Sequence, residues 1–146
     1  AGLVGEDSAR AARPRGCADL HNPIGDIAEE LVAVHYDGER GSFSQASWDV
    51  RTPDGALLQV KALRRTGKTT KRNLSPVRSD GYTAVIVVIF TEDLRVDQAI
   101  RIRRAVVNEM FAIRRHVNGR VITVTRRLLD HPDVCTFDLS DELLDA

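Results

Sequence analysis

The sequence predicts a mixed α/β domain, a β-sheet with helices packed against it. Three stretches carry that reading. Residues 22 to 36 place apolar side chains at helical spacing, a Pro-Asp-Gly turn joins two apolar runs between residues 46 and 63, and residues 82 to 90 are a nearly continuous β-branched run.

Each element has its own local reason. Residues 1 to 20, rich in Ala, Gly and Arg, read as a tail or linker, and 21 to 146 as a single domain. Asn22 suits a helix N-cap, with Pro23 in the first helical position. Ile24, Ile27, Ala28, Leu31 and His35 fall on one face, and Asp37-Gly38 ends the helix. A hairpin follows over 46 to 63, then a basic loop over 64 to 80, where Pro76 and Gly81 argue against a long helix. Tyr82 to Phe90 is expected as a central strand covered on both faces. A turn at 91 to 94, a strand over 95 to 103, a helix over 104 to 115 and a short strand over 121 to 125 come next. Helical turns are expected around 126 to 130 and 139 to 144.

Composition is that of an ordinary globular chain, 42% hydrophobic and 29% charged. No apolar run approaches the length of a membrane-spanning helix, so no membrane partner is expected. The two cysteines, Cys17 and Cys135, lack metal-ligand spacing and fit a reducing cytoplasm. Net charge is zero but unevenly spread. Lys61, Arg64, Arg65, Lys68, Lys71, Arg72 and Arg78 occupy an acid-free stretch, whereas Asp130, Asp133, Asp138, Asp141, Glu142 and Asp145 crowd the end. The basic stretch reads as a phosphate-backbone footprint or, more plainly, as a solvated loop.

The hairpin carries the chemistry. With Pro53-Asp54-Gly55 as a three-residue loop and Gly55 left-handed, Thr52 pairs with Ala56, Val50 with Leu58 and Asp49 with Gln59. Alternation then puts Ser47, Asp49, Arg51, Leu57, Gln59 and Lys61 on one face, and Trp48, Val50, Leu58 and Val60 on the other, apolar one. A two-residue loop would separate Asp49 from Gln59. A carboxylate, an amide oxygen and an ammonium at one point suit metal-assisted phosphodiester hydrolysis. The plainer alternative is a hairpin with one wet and one buried face.

A helix bearing acids, then Asp49, then Gln59-Val60-Lys61, then the hydrophobic run 82 to 90, resembles the PD-(D/E)XK nuclease superfamily, in particular the Asp…Gln-x-Lys variant of Mrr-type restriction endonucleases. The stretch Ile24-Gly-Asp-Ile-Ala-Glu-Glu-Leu-Val-Ala33 is also similar to small bacterial restriction-like proteins. The resemblance covers roughly residues 22 to 112, and Trp48 stands where the family usually has Pro. It implies a restriction-endonuclease-like mixed sheet flanked by helices and a Mg²⁺- or Mn²⁺-dependent endonuclease acting on DNA, with a homodimer as an open option. It also implies that Asp49, the Gln59 side chain, the Val60 carbonyl and a helix acid hold the metal. Lys61 would orient the attacking water and stabilise charge on the phosphate. The helix acid that aligns best is Glu29, with Glu30 on the other side of the apolar stripe; either is otherwise a solvated charge. Arg64, Arg65, Lys68, Lys71 and Arg72 would contact phosphates. The competing expectation is a non-catalytic module that binds nucleic acid or protein on the same fold. Thr66-Gly67-Lys68-Thr69 lacks the first glycine of a P-loop, and the four histidines lack zinc spacing.

Overall fold

In the computed structural model, residues 23 to 41, 47 to 67 and 72 to 145 are described; the tail, Asn22, Lys68 and Lys71 lie outside them. Helix α1 (Pro23–Tyr36) leads into β1 (Glu39–Arg40), β2 (Val50–Arg51) and β3 (Leu57–Arg64). The chain then crosses over to β4 (Ala84–Phe90) and turns back into β5 (Val96–Arg103) and α2 (Arg104–Met110). A small ribbon, β6 (Ile113–Arg114) and β7 (Gly119–Arg120), precedes α3 (Arg126–Leu129), β8 (Val134–Phe137) and a 3-10 turn (Glu142–Asp145). The main sheet runs β1-β2-β3-β4-β5-β8, and every neighbouring pair is antiparallel except β3 with β4.

The sequence accounts for how these elements start and stop. Asp37 takes a left-handed φ of 54° and the Gly38 N–H closes onto Ala33 O at 2.8 Å, a Schellman-type end to α1. Gly38 is also required by contact, since a Cβ there would sit 2.6 Å from Arg51 O. Gly55 adopts the expected left-handed φ, 91°. Thr52 N–H bonds Ala56 O at 2.9 Å, and Val50 pairs with Leu58 as the three-residue loop requires. In β4 every residue from Ala84 to Phe90 is fully buried, the pattern of a strand covered on both faces.

The two faces make two cores. On one, α1 lays Ala28, Leu31 and Val32 over Val50, Leu58, Val60, Ile86 and Val88. On the other, α2 and α3 bring Val106, Val107 and Leu128 against Val85, Val87, Ile89, Ile100 and Ile102. Each fully buried Val, Ile, Leu or Phe contributes about 2 kcal/mol by leaving water, so β4 fastens the two layers together.

Several expectations need correction. The helix expected over 104 to 115 stops at Met110, because Phe111 adopts an extended φ of −129° and leads into the β6–β7 ribbon. The strand expected over 121 to 125 is instead a single bridge, Thr123 to Asn73, after β7. Four strands were not anticipated: β6 and β7 of the small ribbon, β1, which is only Glu39–Arg40, and β8, which pairs with β5 although Cys135 and Thr136 are exposed. The basic stretch is not simply a wet loop, for Leu74 and Val77 are buried in the second core. His35 is exposed yet ring-packed, its centroid 4.8 Å from Tyr36 and 5.1 Å from Phe137. Among the described residues no helix is long and apolar enough to cross a membrane.

Candidate functional site

The hairpin ladder ends one residue earlier than alternation predicts, and that break makes the site. Val50 is the partner of Leu58, yet the Asp49 N–H also donates to Leu58 O at 2.7 Å. Two residues therefore face one, the arrangement of a β-bulge. Asp49 does not pair with Gln59. Its carboxylate instead accepts the Val60 N–H, Oδ2 to N 2.8 Å, taking the place of the missing ladder partner. Leu57 N–H points to the β4 side, where it donates to Thr83 Oγ1 at 3.0 Å, so the amides of Leu58 and Val60 point the opposite way, towards β2. The Val60 carbonyl points to the same side as its N–H, beside Asp49.

The bulge also resets the alternation before it. Trp48 and Arg51, expected on opposite faces, come together with the guanidinium 5.6 Å from the ring centroid. Val50, Leu58 and Val60 do line the apolar face as expected. Gln59 and Lys61 point to the opposite face. Gln59 is buried and its Nε2 donates to Ser47 O at 3.0 Å, which holds the amide against the segment entering the bulge. Gly81 closes on the same place, since a Cβ there would meet Ser47 Oγ at 2.8 Å.

Lys61 reaches away from β2 rather than directly to Asp49. Its ammonium donates to Ser75 Oγ at 3.0 Å and Pro76 O at 3.2 Å, both on the β3–β4 crossover. Burial depresses its pKa; the negative charges of Asp49 and Glu29 act against that, and Arg78 adds to it. Burial likewise raises the Asp49 pKa, opposed by the Val60 N–H and the charges of Lys61 and Arg40.

Of the two helix acids, Glu29 is the one that couples to Asp49. Burial is the main cause of its raised pKa, and the Asp49 charge is the next. Arg40 restrains that shift, with Nη2 2.9 Å from Glu29 Oε1. The same guanidinium binds Asp26 at 2.6 Å and Glu30 at 3.4 Å; the Glu30 side chain is 47% exposed against 28% for Glu29. Arg40 is thus the resident cation of the acidic helix face. The sequence reading missed it, because no helix period or turn rule relates residue 40 to residues 26, 29 and 30. Ser75 and Pro76, which hold Lys61, were missed for the same reason.

The expected phosphate-binding residues divide. Arg64 donates through Nε to Glu92 O at 2.9 Å, and Arg65 pairs with Asp97 at 2.6 Å. Arg72 is exposed. Lys68 and Lys71 lie outside the described residues.

Among the described residues, the oxygen donors near the bulge include the Asp49 and Glu29 carboxylates and the Val60 carbonyl, a hard set compatible with Mg²⁺. Two coupled, partly buried carboxylates also favour a cation between them. Among the described residues, no three His, Cys, Asp or Glu side chains converge as a metal-holding group. No known protein family's profile matches the chain, and no curated protein matches it.

Proposed function

We propose that this chain is a metal-dependent nuclease domain of the PD-(D/E)XK kind, on a restriction-endonuclease-like sheet, cleaving DNA phosphodiester bonds. The observation that carries the reading is the bulge at Asp49. It lifts a carboxylate off the ladder and sets it against the strand residue that precedes Lys61, with Glu29 coupled from the helix. Chain order supports it as well: acidic helix, Asp49, Gln59-Val60-Lys61, then the buried strand β4 running parallel to β3.

Asp49, the Val60 carbonyl and Glu29 would hold Mg²⁺ or Mn²⁺, with the Gln59 amide as a further oxygen donor. When bound, the ion lowers the pKa of a water and polarises the phosphate. Lys61 supplies positive charge for the phosphate, and its depressed pKa brings the amine closer to accepting a proton from water. Gln59, tied to Ser47, keeps the strand in place beside the bulge. One assay tests the reading: incubation with linear, supercoiled and branched DNA, with Mg²⁺, with Mn²⁺ and with chelator. Cleavage confined to the metal-containing samples is expected.

A second reading is favoured by one observation. Arg40 already neutralises Glu29, so the acids could serve structure alone in a non-catalytic binding module. Metal-independent DNA binding with no cleavage in any of these samples would select it.

A further inference from the structure

We infer that the Arg-rich surface formed where the β3–β4 crossover meets the β6–β7 ribbon and α3 binds the phosphate backbone of a nucleic acid. This rests on the nuclease reading for its purpose but not for its physical basis.

The sequence directs attention to residues 61 to 78. Folding adds a second basic stretch from far along the chain: Arg103, Arg104, Arg114, Arg115, Arg126 and Arg127 lie between residues 103 and 127, where Glu109 is the only acid. Glu109 itself lies 3.5 Å from His131. The structure joins the two stretches. Val77 bridges Arg120, Asn73 bridges Thr123, Val124 N–H bonds Arg72 O at 3.0 Å, and Arg78 Nε donates to Val117 O at 3.0 Å. The segments bearing Arg72 and Arg78 thereby come beside those bearing Arg114, Arg115 and Arg126, and all five side chains are exposed.

This surface concentrates several exposed guanidinium groups that no carboxylate among the described residues balances. Elsewhere Arg40, Arg51, Arg65 and Arg95 each have a carboxylate partner, while Arg64 donates to the Glu92 carbonyl and Arg101 to the Tyr36 hydroxyl. Among the described residues no carboxylate pairs with Arg72, Arg78, Arg114, Arg115 or Arg126. Exposed like charges held side by side repel one another, and a polyanion relieves that repulsion while releasing its own counterions. The surface is also continuous with the candidate site, because Lys61 donates to Ser75 and Pro76 of the same crossover and is coupled to Arg78. A strand tracking along these arginines would pass beside Lys61.

The test is binding of a fluorescein-labelled, mixed-sequence DNA duplex, followed by anisotropy in chelator over a range of salt. R114A/R115A/R126A/R127A should bind at least tenfold more weakly than the parent at about 0.1 M salt, with the salt slope flattened by about 0.9 for each phosphate that is no longer neutralised. The matching quadruple Arg→Lys variant should recover most of the affinity, which separates loss of charge from loss of fold. R51A/R95A, whose guanidinium groups are each paired with a carboxylate, should stay within about twofold of the parent. Equal binding by the parent and the quadruple Ala variant at every salt concentration would overturn the inference. So would parental binding to phosphatidylserine vesicles but not to DNA. Cleavage by a chain whose quadruple Ala variant binds normally would sink this surface and spare the nuclease; Arg-dependent binding with no cleavage in Mg²⁺ or Mn²⁺ would do the reverse.

Discussion

Asp49 Oδ2 accepts the Val60 N–H at 2.8 Å, so a side chain stands where a backbone carbonyl preceding β2 would otherwise close the ladder. The contact has a structural and a chemical share, and substitution can separate them.

Asp49→Asn keeps an oxygen for the Val60 N–H and removes the charge. It should fold with near-parental stability and lose metal-dependent cleavage. Asp49→Ala leaves a part-buried N–H unpaired and should additionally cost about 1–3 kcal/mol. Urea unfolding beside a cleavage assay distinguishes the two. Full activity in the Asn variant would remove Asp49 from the chemistry.

Lys61→Met retains the length of the stem and removes the ammonium. Cleavage should fall by at least two orders of magnitude, roughly the loss expected for an electrostatic group in the transition state, while the melting temperature stays close to the parent's. Undiminished cleavage would mean that the activity arises elsewhere.

Arg40→Met removes the cation that Glu29 shares with Asp26 and Glu30. If Glu29 is a ligand, Mn²⁺ should bind several-fold more tightly by calorimetry, because its competitor is gone. Since the Arg40 side chain is 34% exposed, the loss of stability should be modest, on the order of 1 kcal/mol. Unchanged Mn²⁺ affinity would assign Glu29 to structure alone.

The metal-free protein should also show a pH signature. Glu29 and Asp49 have raised folded pKa values, so the native state binds more protons than the unfolded chain between the ordinary and the raised values. Their favourable contribution is present in full below about pH 4, the ordinary carboxylate range, and is lost as pH rises through the raised values. Asp49→Asn should flatten that decline in a pH series of denaturant melts. An unchanged profile would show that Asp49 and its coupling to Glu29 do not set it.

What the sequence made legible was whatever a local rule governs. Pro53-Asp54-Gly55 announced its own turn, the pairing of Val50 with Leu58 followed from it, and the β-branched content of residues 84 to 90 placed the central strand. The bulge was hidden because it depends on where Asp49's carboxylate goes, which alternation cannot express. Strand β8 was hidden because half of it is exposed at the sheet edge, leaving no clear hydrophobic period. Arg40 and Ser75 were hidden because their partners lie 10 to 14 residues away along the chain and are reached only through the fold.

The complete burial of Ala84–Phe90 has a cost outside the native state. Seven successive residues without charge, Pro or Gly, most of them β-branched, have the makeup of a steric-zipper segment. The tight turn at Thr91–Leu94, where Leu94 N–H bonds Thr91 O at 3.0 Å, lets β5 cover one edge of this segment early. Its other edge must wait for β3, which arrives only after the long parallel crossover is in place. In that interval the segment can template onto another chain, so refolding yield should fall steeply with protein concentration, and the chain's tendency to aggregate is set by how quickly the crossover settles.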